Sequence, residues 1–181
     1  MPALNFLNGM KNSNVDIDKI DINTSIDFAS LSGTFISGVG DFVNLFEPNA
    51  LKLEQQGLGY VVGSIGELSG EMPYTAFYAR KSYVDNNEDV IKGFNDAINK
   101  GIEYVSSHSD KEVADVISKQ FTDIALNDIE TIVGRYRNSD SWLDNTSISE
   151  ESYKNLENIM IDNDLLNDYV DFEKLVIDLN E

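Results

Sequence analysis

The chain passes once from a mixed hydrophobic pattern to a purely helical one, and that change limits the folds open to it. Between residues 15 and 80, short apolar runs of strand type alternate with helix-like stretches and glycine- or proline-bearing connections. From Asn87 onward nearly every apolar residue recurs at helical spacing. Val90, Ile91, Phe94, Ile98, Ile102 and Val105 form one long stripe; Val113, Val116 and Ile117, then Ile129, Ile132, Val133 and Tyr136, form two more. A run of strands followed by amphipathic helices predicts an α/β fold in which helices cover a parallel-rich sheet.

The first part reads as follows. Residues 3–10 have the composition of a short helix, and "VDIDKIDIN" alternates as a half-exposed strand does. Asp27 to Ser37 carries Phe28, Leu31, Phe35 and Ile36 on one helical face, ended by Gly38 and Gly40. "DFVNLF" then predicts a buried strand, Pro48 to Gln56 a helix closed by Gly57, "YVVGSI" a strand, "GELSGEMP" a loop and "YTAFYAR" an aromatic strand. In the second part, helices are expected to start near Ser149 and Asp171.

Charge and composition remove several kinds of function. Thirty-two acidic residues face 13 basic ones, a net charge of −19, which opposes nucleic-acid backbones and anionic membranes. No cysteine is present, so disulfides, thiolate catalysis and cysteine-held metals drop out. The single histidine, His108, cannot build a multi-histidine site and reads as an exposed linker residue before an N-cap at Ser109 or Asp110. No run reaches the ~18 apolar residues of a membrane span. The start "MPALNFLNGMKNSN" lacks the pattern of a secretory leader and a lipoprotein cysteine.

Motifs that superficially carry chemistry mostly dissolve under inspection. Gly38-Val39-Gly40 precedes a predicted strand and lacks the lysine of a phosphate loop. The acidic "DNDLLNDYVDFE" lacks the central glycine of a calcium loop and puts Leu165 and Leu166 at ligand positions, so it reads as a solvated face. Trp142 reads as an anchor for a long loop. Phe46-Glu47-Pro48 is different. In a parallel α/β sheet, ligands bind outside the carboxyl ends of strands, where the next helix begins, and Glu47 stands there. It can cap that helix, or it can present a hydrogen-bond acceptor to a cleft beside an aromatic able to stack on a planar ligand.

The order of motifs is similar to that of ABC-transporter solute-binding proteins of the nitrate/sulfonate/taurine and thiamine-precursor group, the SsuA/THI5-like family. The matching pieces are "SGVGD" before a strand, "EP" after it, the "GELSGEMPYT" crossover, and "ARKSYV" followed by "NNEDVIKGFNDAINKGIEYV". "RYRNSDSW" and "ISEESYKNLENIMID" follow downstream. The resemblance implies the type II periplasmic-binding fold, two α/β lobes with ligand between them, of which only the C-terminal portion is expected here. Residues 1–73 would be the second α/β lobe without its first strand. Residues 74–181 would be the return strand and the C-terminal helices that dress the first lobe.

It further implies an extracytoplasmic binding component of an importer, with no catalysis, cofactor or metal. The partners would be an ABC permease and a small solute: a thiamine-precursor-like heterocycle, a sulfonate, taurine or nitrate. The implied ligand-facing positions are Met1, Pro2, Asp41, Asn44, Phe46, Glu47 and Tyr74, with Phe46 standing where many relatives carry tryptophan. A carboxylate in the cleft suits a ligand with N–H donors better than an anion. The alternatives are a scaffold remnant of a binding protein, or a thiamine-pyrimidine synthesis enzyme, a branch that depends on histidines and cysteines. Apolar helix stripes without strands to cover predict a homodimer, domain-swapped through Met72–Thr75.

Overall fold

α1 (Pro2–Asn12) begins on a proline, whose fixed φ and missing N–H suit the first helical position. The computed structural model describes residues 2–139 and 141–180. Nine more helices follow among the described residues: α2 (Leu31–Ile36), α3 (Asn49–Gln55), α4 (Ile65–Ser69), α5 (Lys81–Val84), α6 (Glu88–Ser107), α7 (Asp110–Ile117), α8 (Leu126–Asn138), α9 (Glu150–Asp162) and α10 (Phe172–Leu175). Local chemistry explains most of their ends. Gly57, at φ +68°, closes α3 with paired hydrogen bonds from Leu58 N to Leu53 O (3.0 Å) and from Gly57 N to Glu54 O (2.9 Å).

Ser109 starts α7 with a reciprocal cap. Its hydroxyl accepts from Glu112 N at 3.3 Å while its own N–H donates to Glu112 Oε2 at 2.9 Å. Ser149 caps α9 by accepting from Ser152 N at 3.0 Å. The helix α4 falls inside the expected loop "GELSGEMP" and its approach. Its start, Ser64-Ile65-Gly66-Glu67, has the spacing of a capping box, and Ser64 Oγ accepts from Glu67 N at 3.4 Å.

The main core lies between α7 and α8, where Val113, Ala114, Ile129 and Val133 are buried and Tyr104, Val105, Ile117 and Ile124 pack around them. A second contact region joins α1 to α4 and α9. Gly9 permits that approach, because a Cβ there would meet Leu68 Cβ at 3.1 Å. Asn8 Nδ2 donates to Ser69 O at 2.8 Å, and Asn155 Nδ2 on α9 donates to Glu71 O at 2.8 Å.

The expected parallel-rich sheet is not formed: among the described residues there is no strand. This corrects the α/β assignment, with its strands at "VDIDKIDIN", "DFVNLF", "YVVGSI" and the return strand at Tyr74–Arg80. "VDIDKIDIN" contains only a single 3-10 turn at Ile17–Lys19, and the other three segments, apart from Ile65 at the start of α4, lie outside helices with no ladder between them. The physical reason is cover. A parallel strand needs a neighbour for its backbone and packing on both faces. Here Phe42 (79% exposed), Tyr60 (85%) and Tyr78 (94%) stand at the surface instead. Strand composition marks residues suited to a pleated surface; it does not supply the neighbour.

The helices meant to cover that sheet pack on each other. α6 keeps its stripe on one side, yet none of its residues is fully buried, and Val90 and Phe94 remain exposed. The whole chain exposes 12,891 Å². A closed monomer of 20.2 kDa is expected to expose about 8,800 Å².

Candidate functional site

The carboxylate of Glu47 lies at the start of α3, where backbone N–H groups have no helical acceptors. Its Oε2 accepts from Leu51 N at 2.9 Å, so the helix-start role is realised in full. The other oxygen is equally engaged. Oε1 accepts from Arg135 Nη1 at 2.8 Å, and the second amino group of the same guanidinium binds Glu54 Oε2. Arg135 belongs to the last turn of α8, where a cation complements the helix C-terminus. Thus a planar two-pronged donor from α8 holds two carboxylates of the α3 region at once.

Burial makes the arrangement count. The Glu47 side chain is 10% exposed and that of Arg135 28%. Burial alone would lower the Arg135 pKa, but the hydrogen bonds to Glu47 and Glu54 more than reverse this and hold it above its ordinary value. The hydrogen bond from Arg135, then the amide of Val61, hold the Glu54 carboxyl below the usual carboxylate value. Tyr136, next on α8, has its phenol pushed up by burial, with the Glu47 charge adding to the effect and the Glu47 backbone opposing it.

Beside this clamp sits an aromatic cluster. Phe46 packs on Phe28 with ring centroids 5.2 Å apart, and meets Tyr74 edge-on at 6.1 Å. Tyr74 is half-buried, and burial raises its phenol pKa. Asn44 reaches α1, donating from Nδ2 to Pro2 O at 3.3 Å. The structure therefore groups Phe46 with Tyr74 and Glu47, and Asn44 with Pro2. Asp41 lies on the exposed segment leading in, and Met1 is outside the described residues. Two open surface hollows, about 500 Å³ by α10 and about 200 Å³ by the end of α6, share no residue with this cluster.

Arg135, Glu54, Phe28 and Tyr136 escape the sequence reading of the site. Arg135 left a usable signal: with 13 basic against 32 acidic residues, a basic pair such as Arg135 and Arg137 in one turn calls for acidic partners. Arg137 finds different ones, Asp110 Oδ1 at 2.7 Å and the carbonyls of Val105 and His108 at 2.9 and 3.0 Å. It ties α8 to α6 and α7. His108 stacks on Tyr104 with ring centroids 3.7 Å apart, and Trp142 meets Tyr136 edge-on at 6.0 Å. Among the described residues no group of three or more histidines, acids or cysteines is placed to hold a metal, and no helix is long and apolar enough to cross a membrane.

Comparison with known proteins bears on the same residues. A family model described as NMT1/THI5 like matches residues 4–112, which contain Asn44, Phe46, Glu47 and Tyr74. The protein named "Putative binding protein YtlA" of Bacillus subtilis (strain 168) is 39% identical over 157 residues, covering 87% of this chain and 47% of its own length. The chain thus spans about half the length of that curated relative. No solved structure matches.

Proposed function

Because the chain belongs to the NMT1/THI5-like family, we propose that it is the C-terminal portion of a solute-binding protein serving an ABC importer outside the cytoplasm. The observation that carries this reading is the family match across the Phe46–Glu47 region. The relative's printed name, a binding protein, supports binding over synthesis of a metabolite.

In this reading Phe46 and Tyr74 form the aromatic wall for a planar ligand, and Glu47 accepts its N–H groups. Asn44, Pro2 and Asp41 complete the ligand side. Glu47, Glu54 and Arg135 together carry one net negative charge, which disfavours nitrate and sulfonates and favours an amine-bearing heterocycle of thiamine-precursor type.

Titration calorimetry with cytosine as the aminopyrimidine probe, taurine as the sulfonate probe and sodium nitrate tests this. Binding of cytosine alone, reduced at least tenfold by Phe46→Ala, is the expected result. Heat with none of the three, or cytosine binding indifferent to Phe46→Ala and Tyr74→Ala, overturns it.

A further inference from the structure

The contacts of Arg135 point past simple support of the fold. Its neighbour Arg137 does the structural tying, binding Asp110 and two carbonyls of the α6–α7 region. Arg135 turns the other way. It crosses to the α3 region and spends its guanidinium on Glu47 and Glu54, 88 and 81 positions away in sequence.

We propose that Arg135 is the selectivity-setting residue of the Glu47 site: by answering part of the carboxylate charge from α8, it shifts the site's preference from cations toward uncharged N–H donors. The proposal rests on the reading of Glu47 as a ligand-facing carboxylate. A carboxylate offers about four lone-pair directions, and Leu51 N and Arg135 take one on each oxygen. An acceptor therefore remains for a ligand, and the Glu47 charge is shared with the guanidinium.

A neutral amine gains a charge-assisted hydrogen bond there without bringing a new charge into a largely buried place. An ammonium or amidinium in the same position is drawn by the carboxylates but stands a few ångströms from a guanidinium at low effective dielectric, so repulsion from Arg135 takes back part of that attraction. Glu54 counters part of that repulsion, being held by the same guanidinium. Arg135 is thus a positioning residue whose charge sets a ratio of affinities, rather than an affinity.

The test measures cytosine, a neutral aminopyrimidine, and benzamidinium, a planar cation, by titration calorimetry at fixed ionic strength. In Arg135→Gln the benzamidinium-to-cytosine affinity ratio should rise about tenfold or more. Arg135→Lys, which keeps the charge and loses the fork, should stay near the wild-type ratio. Glu54→Gln, a change on a more open side chain, should move the ratio the opposite way and reports independently if Arg135→Gln does not fold. Arg137→Gln is the control for loosened helices and should leave the ratio unchanged.

If both affinities fall together in Arg135→Gln, or if Glu54→Gln leaves the ratio where it was, the selectivity role is wrong while the ligand site stands. If neither probe binds the wild-type chain, the reading of Glu47 as ligand-facing fails, and this proposal with it.

Discussion

Glu47 performs two structural tasks with its two carboxylate oxygens, and each can be removed. Glu47→Ala leaves Leu51 N–H without its acceptor and Arg135 without its more buried partner. The expected cost is about 1–3 kcal/mol, the range for orphaned, partly buried groups. Glu47→Gln keeps a neutral acceptor for Leu51 and should cost less. Urea unfolding followed by circular dichroism measures both, and equal stabilities for the Ala variant and the wild type would remove the clamp from any account of folding.

The same clamp predicts a pH response. Glu54 is ionised more readily in the folded chain than in the unfolded one, so its contribution is present above its unfolded value and is lost as pH falls through the folded one. Trp142 is the chain's one tryptophan and packs against Tyr136, next to Arg135. Its emission should therefore shift as pH drops below the ordinary carboxylate range, and the shift should be absent in Arg135→Gln.

At the scale of elements, helices that fold from local signals should answer to local substitutions. Ser109→Ala removes the hydroxyl half of the α7 capping box, leaving the backbone N–H of residue 109 on Glu112, and should cost about 1 kcal/mol. Ile129→Ala empties part of the α7–α8 core and should cost about 2–4 kcal/mol. Thermal or urea melts check both, and a larger loss at Ser109 than at Ile129 would contradict the assignment of the core.

These elements were also the legible ones. The stripes at Val113, Ile129 and Val133, the caps at Ser109 and Ser149, and the close of α3 at Gly57 are all set by residues within one or two turns, so sequence spacing reveals them. Gly66 and Gly70 mask α4 in the sequence, although the Ser64–Glu67 pair has the spacing of its cap. The strand expectation fails for the opposite reason. Phe42, Tyr60, Val62 and Tyr78 have the right chemistry for a sheet, but pairing depends on a distant neighbour that no local pattern encodes. The site shows the same division: Phe46 and Glu47 are visible from their place before Pro48, whereas Arg135 lies 88 residues away and only the fold brings it near.

At the scale of the molecule, the exposed surface is the quantity that needs an answer. The 12,891 Å² of the chain exceeds the expectation for its mass by roughly 4,000 Å². Much of it is chemically costly to leave in water: Phe42, Tyr60, Val62, Phe77 and Tyr78 are each at least 75% exposed. Large obligate interfaces bury about 2,000–5,000 Å² over both partners, so the excess on one copy is enough to build one. The exposed segments also flank the proposed crossover at Met72–Thr75, the point at which two copies could exchange their later helices.

The chain on its own should therefore sediment as a dimer at tens of micromolar. Phe77 stacks edge-on against Phe94 of α6 at 4.9 Å, joining an exposed segment to the open helix face. Phe77→Asp places a charge in the middle of that surface and should weaken association at least tenfold, while Arg137→Gln, between α8 and the α6–α7 junction, should not. A clean monomer by sedimentation at these concentrations would rule out the dimer. A dimer that Phe77→Asp leaves intact would place the interface elsewhere, because a carboxylate cannot be buried in an apolar contact without a partner and leave its affinity unchanged.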